Sequence, residues 1–314
     1  MTLHPRLAAA GLMLSVILAA CSEPAEPPAK APEPAAPAPA VAANTDVQAF
    51  QVGQLQLTAL RDGGMALPAT NAQMSPWANT AEAEQLLTAN GVADKAIHLS
   101  IQPLLVRDGD RIVLIDTGAA GEMGTDGRLL ASLATAGVTP DQVTDILISH
   151  GHGDHVGGLF AKDGTLAFPN AAIRISIPEW AAMHDDDAFE EKIRTMTPRV
   201  RPFAPGSKVT PSITAVSLDG HTPGHTGYEI VSGTERLLYF GDAMHSAILS
   251  VQRPDWTNAW DADNTEAKVT RQRLLNRAAS DNLRVYGVHF PFPGLGRIQR
   301  RDDGFVWVPE AVAP

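Results

Sequence analysis

Cysteine is almost missing from this 314-residue chain, whose only one is Cys21, close to the start. The rest of the protein therefore has no disulfide, no cysteine nucleophile and no thiolate ligand for a metal. Positive charge is also scarce, with 24 Lys and Arg against 35 Asp and Glu and a formal net charge of −11. That balance argues against nucleic acid or an anionic membrane surface as a partner. No apolar run is long enough for a stable transmembrane anchor. The N-terminal one, LAAAGLMLSVILAAC, falls short of the roughly 20 residues a bilayer requires.

That run, preceded by MTLHPR, instead has the layout of an export signal. Leu18-Ala19-Ala20-Cys21 resembles the bacterial lipobox, in which the signal is cut before the cysteine and the cysteine is lipidated. The next residues are almost wholly Pro, Ala and Glu, a composition that cannot form a core and favours extended polyproline II. At ~3.1 Å per residue such a tether reaches up to about 70 Å. The expected organisation is a signal peptide at 1–20, a lipidated Cys21 with a tether at 21–44, and one domain at 45–314. The expected address is the bacterial cell envelope, lipid-anchored at the outer membrane facing the periplasm.

From residue 45 onward there is no second linker and no repeat at solenoid spacing. VQAFQVGQLQLTAL alternates as strands do, and IHLSIQPLLV and RIVLIDTG flank Arg107-Asp108-Gly109-Asp110, where Asp-Gly suits a tight hairpin turn. DGRLLASLATAG reads as a helix stopped by Gly137. TDILIS, AAIRISI, SITAVSL, YEIVSG, RLLYFGD and LRVYGVH read as further strands. NTEAKVTRQRLLNRAASD has helical spacing, with Asn264 or Thr265 as its cap. Strands interleaved with a few helices suggest a sheet-rich core covered by helices.

TDILIS leads straight into SHGHGDHVGG, which places His150, His152, Asp154 and His155 within six positions. In extended chain, residues two apart point the same way, so His150 and His152 can share one cation. Gly151 and Gly153 let the backbone turn, after which Asp154 and His155 can serve a second position. Imidazole with carboxylate suits zinc and its transition-metal neighbours. One loop cannot close two coordination shells, so further ligands must come from strand ends downstream. His221 and His225 in DGHTPGHTGYE, Asp242 in LLYFGDAMH and His289 in LRVYGVHFPFPG are the candidates.

These segments, with DTG at 116–118, resemble the metallo-β-lactamase superfamily over nearly all of residues 50–310, and VHFPFPGLG and GDAMHSAILSVQRPDW look most like its methyl parathion hydrolase and lactonase-like branch. The resemblance implies an α+β fold, an αββα sandwich with the site at one edge between two sheets. It implies two divalent cations, zinc foremost with iron, manganese or cobalt as alternatives. His150, His152 and His225, the histidine after Thr222-Pro223-Gly224, would hold one metal. Asp154, His155 and His289 would hold the other, with Asp242 bridging. Asp116 would brace the metal loop without binding metal, and His221 would stand behind the ligands.

Such a pair lowers the pKa of a shared water, and the resulting hydroxide attacks an electrophilic carbonyl carbon or phosphorus. Asp154 would relay a proton to the leaving group. The expected activity is hydrolysis of a small lactone or ester, with promiscuous phosphotriester cleavage, and a homodimer is compatible with the sequence. Trp180, Phe290 and Phe292 are candidate pocket walls. Lactonases of this fold often carry a tyrosine three residues after the bridging aspartate; His245 stands there, which weakens a strict acyl-homoserine lactonase reading and makes His245 a candidate for substrate contact. Alternative readings are a β-lactamase, a mononuclear iron persulfide dioxygenase and a non-enzymatic envelope metal-binding protein. Typical β-lactamases of the superfamily lack the aspartate that Asp242 would supply.

Overall fold

The computed structural model describes residues 46–311 except 72 and 124–126; the signal peptide, Cys21 and the tether lie outside the described residues. The chain opens with β1 (Val47–Val52), β2 (Leu55–Leu60), β3 (Gly63–Pro68), α1 (Thr80–Ala89), β4 (Ala96–Ile101), β5 (Leu104–Asp108) and β6 (Arg111–Ile115). It continues through α2 (Leu129–Thr135), β7 (Asp145–Leu147), the one-turn α3 (Gly153–Val156), β8 (Ala172–Ser176), α4 (Ile177–His184), α5 (Glu190–Met196) and β9 (Val200–Phe203). Then come β10 (Ile213–Ser217), β11 (Thr226–Ser232), β12 (Glu235–Tyr239), α6 (Leu249–Gln252), α7 (Asn264–Ser280), β13 (Arg284–Tyr286), β14 (Leu295–Arg301) and β15 (Gly304–Pro309).

The strands form one sheet in the order β1-β2-β5-β6-β7-β8-β9, a second in the order β10 to β15, and a separate two-stranded antiparallel β3-β4 sheet. Both faces of each sheet are covered, which is why the central strands read as continuous apolar runs. Leu104, Val106, Val113 and Ile115 pack into the space between the sheets with Ile230, Leu237 and Tyr239. Leu105 and Leu114, one residue out of phase, meet Leu129 and Leu133 of α2. Across the second sheet, Leu238 and Val285 pack on Leu274, Leu275 and Ala278 of α7. Helices thus cover the outer faces, giving the expected αββα sandwich.

The hairpin at Asp108-Gly109 is present, with Asp108 paired to Arg111 and Gly109 at φ +64°. The cap of α7 differs from expectation. Asp263 accepts the amides of Thr265 and Glu266, while Asn264 instead accepts the backbone N–H of Asn258. Strands β3, β9, β14 and β15 have no counterpart in the sequence reading. β9 and β15 are sheet edges and β3 belongs to a two-stranded sheet, where Pro, Gly and Arg blunt the apolar alternation.

Topology also collects the chemistry. β6 and β7 run parallel, as do β12 and β13, so each pair ends at one edge. β11 is antiparallel to β12 and therefore begins where β12 ends. The Thr226 amide donates to Ser149 O at 2.9 Å, joining the start of β11 to the loop after β7.

Beneath that edge, buried Asp145 at the start of β7 receives hydrogen bonds from Arg111 and Arg174, each at 2.7 Å. Burial pushes its carboxyl up, but bonds from Arg174 and Arg111 outweigh burial and leave the pKa below the ordinary carboxylate value. A depressed folded-state pKa stabilises the fold above the unfolded value of about 4, and that contribution is lost as pH falls through the depressed value. Asp145→Asn should cost about 1–3 kcal/mol at neutral pH. The deficit should shrink as pH falls below about 4. Denaturation midpoints of both proteins against pH check this, and a pH-independent gap would refute it.

Candidate metal centre

The loop after β7 delivers His150 and His152, and α3 follows at once with Asp154 and His155. Asp242 lies in the turn after β12, His289 in the loop after β13, and His221 in the loop before β11. Metal-capable donor atoms of His150, His152, His221 and Asp242 lie within 4.8 Å of one another, and so do those of Asp154, His155 and His289. The Asp242 carboxylate stands between the two groups. Its Oδ1 is 3.1 Å from His155 Nε2 and 3.0 Å from His289 Nε2. Its Oδ2 is 3.7 Å from His150 Nε2 and 3.5 Å from His221 Nε2.

The outward nitrogens set the tautomers. His155 Nδ1 meets Asp116 Oδ2 at 2.8 Å, His221 Nδ1 meets Asp261 Oδ1 at 3.1 Å, and His289 Nδ1 meets Ser100 O at 2.8 Å. Each partner is an acceptor, so Nδ1 carries the proton and Nε2 presents a lone pair inward. Ser149 Oγ donates to Asp116 Oδ2 at 2.7 Å, leaving its oxygen to accept from His150 Nδ1 at 3.1 Å. Asp116, at φ +59°, also accepts the Ser149 amide and the Tyr239 hydroxyl. Asp116 thus links Ser149 and His155, on either side of the loop after β7, to Tyr239.

Two candidates exchange places. His225 was expected among the ligands and His221 behind them, but His225 Nδ1 meets Leu218 O at 3.0 Å and its Nε2 accepts the Asp242 amide at 2.9 Å. Both of its nitrogens are thus engaged with backbone, and it supports Asp242 from behind. His221 Nε2 instead lies 2.9 Å from His152 Nδ1. The loops are clipped together by buried Glu179 on α4, which the sequence reading does not include. Glu179 accepts from the Gly151 amide at 2.8 Å, Thr222 Oγ1 at 2.6 Å and the Gly224 amide at 3.0 Å. Gly158 is required by close approach, since a Cβ there would lie 2.0 Å from Thr117 O.

Burial holds the His150 imidazole well below the ordinary histidine value, His152 at about 4 and His225 at about 3, so all three are neutral at physiological pH. Burial disfavours charge on His155 as well, yet the carboxylates of Asp242, Asp154 and Asp116 raise its pKa well above that value. The surroundings thus favour positive charge at the centre. His150 Nε2, His155 Nε2 and Asp242 Oδ1 are buried with no hydrogen-bond partner. In neutral rings with the proton on Nδ1 the inward lone pairs would face carboxylate oxygens, an arrangement that a proton or a cation relieves.

The donors open into a cavity of about 450 Å³ whose apolar lining includes Met65, Leu99, Met123, Ala259 and Trp260. His152, Asp154, His221, Asp242, His245 and His289 form its polar part. Of the expected pocket residues only His245 is there. Trp180 packs among the residues outside the first sheet, with its ring against His184. Phe290 is fully buried between Phe240 and Trp307, and Phe292 lies against the inter-sheet core under the Arg61 guanidinium. Trp260 lies in an irregular loop, where no periodicity announces it.

Residues 99–289 match the metallo-beta-lactamase superfamily, and the chain belongs to it. Among solved structures, AidC, a dizinc quorum-quenching lactonase, shares 31% identity at a TM-score of 0.79, the match covering 85% of this chain and 98% of that one. The hydrolase AbOPH, of the beta lactamase superfamily, shares 28% identity at a TM-score of 0.78, over 86% and 99% of the two chains. Metallo-beta-lactamase domain-containing protein 1 of Xenopus laevis is 36% identical over 126 residues, 39% of this chain and 43% of that protein. The chain therefore matches less than half the length of this curated relative.

The exchange of His221 and His225 is open to a direct check. In zinc titrations of metal-stripped protein, His221→Ala should bind one equivalent fewer than wild type. His225→Ala should keep the wild-type stoichiometry with affinity weakened roughly 10–100-fold, as for groups that orient ligands. The reverse pattern would restore His225 as the ligand.

Proposed function

We propose that this chain is a dinuclear metal-dependent hydrolase of lactones or esters, with phosphotriester cleavage as a side activity. The observation that carries the reading is the convergence of five imidazoles on two carboxylates, with buried unpartnered donor atoms, at the polar end of an apolar-walled cavity. His150 Nε2, His152 Nδ1 and His221 Nε2 would hold one cation; His155 Nε2, His289 Nε2 and Asp154 would hold the second. Asp242 offers one oxygen to each group. The imidazole and carboxylate donors fit zinc, with iron, manganese or cobalt compatible with the same set. Bound there, two such cations would supply Lewis acidity and a water of near-neutral pKa.

The chain's own residues do the rest. The apolar wall of Met65, Leu99, Met123 and Trp260 takes up the substrate's hydrocarbon portion and keeps water from it. Asp154 lines the cavity, and its oxygen not directed at His289 is free to take up a proton and return it to the leaving group. The likeness to AidC, at 31% identity over most of both chains, supports a lactone among the substrates.

Homoserine lactones, aryl esters, a phosphotriester and a β-lactam assayed side by side test the reading. Lactone or ester turnover is expected, lost on chelation and restored by about two zinc per chain. Asp242→Ala should lose both metal and turnover. A fully metallated protein inert on all four substrates would refute the substrate assignment, β-lactam hydrolysis alone would favour a β-lactamase, and one redox-active iron per chain would favour an oxygenase. We further propose an envelope address through Cys21: Cys21→Ser should abolish incorporation of labelled palmitate and release the protein from the membrane fraction, and unchanged labelling would overturn this.

A further inference from the structure

His245 belongs to neither donor group, yet its Nε2 lies 3.2 Å from Asp242 Oδ2, nearer than His150 at 3.7 Å or His221 at 3.5 Å. It is buried and lines the cavity. Distance alone would make it a ligand; its hydrogen-bond partner argues the opposite. Asn258 Oδ1 accepts the Trp260 amide at 2.9 Å, which establishes which end of that side-chain amide is oxygen. The other end, Nδ2, stands 3.2 Å from His245 Nδ1 and can only donate. Nδ1 is therefore an acceptor, and the neutral ring carries its proton on Nε2.

This is the reverse of His155, His221 and His289, whose Nδ1 atoms face a carboxylate or carbonyl oxygen. The arrangement is held from all sides. Asn258 is buried and its own N–H donates to Asn264 Oδ1 at 2.9 Å. The backbone amides of His245 and Ser246 both donate to Ser250 Oγ at 3.1 Å. The His245 ring lies parallel to that of His289, with centroids 5.8 Å apart, and the Trp260 ring packs against it at 5.1 Å.

We propose that Asn258 fixes His245 as an Nε2–H donor, which keeps it out of metal ligation and presents the N–H to the substrate oxygen on which negative charge develops during hydrolysis. Among the described residues Nε2 makes no hydrogen bond, although Asp242 Oδ2 lies 3.2 Å away. An N–H held in place by Asn258 stabilises a developing oxyanion without the reorganisation that water would need. His245 is then a catalytic residue and Asn258 a positioning residue acting through it. The substrate half of this inference rests on the hydrolase reading; the tautomer half does not.

The test separates the two. Full-length protein labelled with ¹⁵N-histidine is examined by NMR, metal-free and zinc-loaded, with the His245 signals identified from their loss in His245→Gln. Protonated Nε2 and bare Nδ1 are expected, and an Nδ1–H ring would overturn the proposal. In Asn258→Asp the new carboxylate demands the proton on Nδ1, so the tautomer should invert and kcat should fall on the order of 100-fold, at unchanged zinc content and nearly unchanged KM. His245→Leu should show a loss of the same order, while His245→Gln, which keeps an N–H, should recover part of it. Wild-type activity in His245→Leu, or equal losses in the Leu and Gln variants, would overturn the catalytic half. A wild-type protein inert on every ester and lactone would remove that half together with the hydrolase reading, leaving the NMR result to decide the role of Asn258.

Discussion

The centre depends on one buried carboxylate that faces away from it. Asp116 follows β6 in a left-handed conformation and accepts from the Ser149 amide, the Ser149 hydroxyl, His155 Nδ1 and the Tyr239 hydroxyl. The bond to His155 puts that ring's proton on the outer nitrogen, and the bond from Ser149 does the same for His150 at one remove. A ring with its proton on the inner nitrogen cannot bind a cation there. Donor chemistry is thus set one layer behind the donors, and Tyr239, on β12 of the opposite sheet, ties that layer across the sandwich.

The same logic runs through His221. Asp261 orients His221 and is itself held by Arg271, a buried guanidinium on α7 that donates to it at 2.8 Å. Arg271 also donates to Ala243 O, next to Asp242, so the long helix positions a histidine and the turn that carries the shared carboxylate. Glu179 joins the loop of His150 to the loop of His221 through backbone amides. The supporting groups come from both sheets and two helices. A local distortion in any of them would move donor atoms apart, which a paired site tolerates poorly.

Much of the centre was legible before any fold was known. SHGHGDHVGG puts four donors in one loop, and the local chemistry of imidazole and carboxylate suffices to suggest cations. Asp242 and His289 each follow a short apolar strand, and residues at strand ends are presented at a sheet edge. His221 and His225 were not separable in this way. They lie four residues apart in one loop, and which of them faces the cavity depends on Leu218 O and the Asp242 amide engaging one ring and Asp261 the other. Aromatic candidates were not separable for a related reason: Trp180, Phe290 and Phe292 are apolar enough for a pocket wall or for core, and packing buries Phe290 and leaves Trp180 and Phe292 half-buried, all outside the metal-lined cavity.

Sequence by itself determined the donor types, the absence of thiolate chemistry and a sheet-rich core covered by helices, because these follow from composition and from periodicities two to four residues long; the αββα layering came from the family resemblance. Tertiary structure alone decided which histidine turns inward, where each ring keeps its proton and what lines the cavity. Those outcomes depend on hydrogen bonds between residues far apart in the chain, such as Tyr239 to Asp116 or Arg271 to Ala243, and only the closed sandwich brings them within reach.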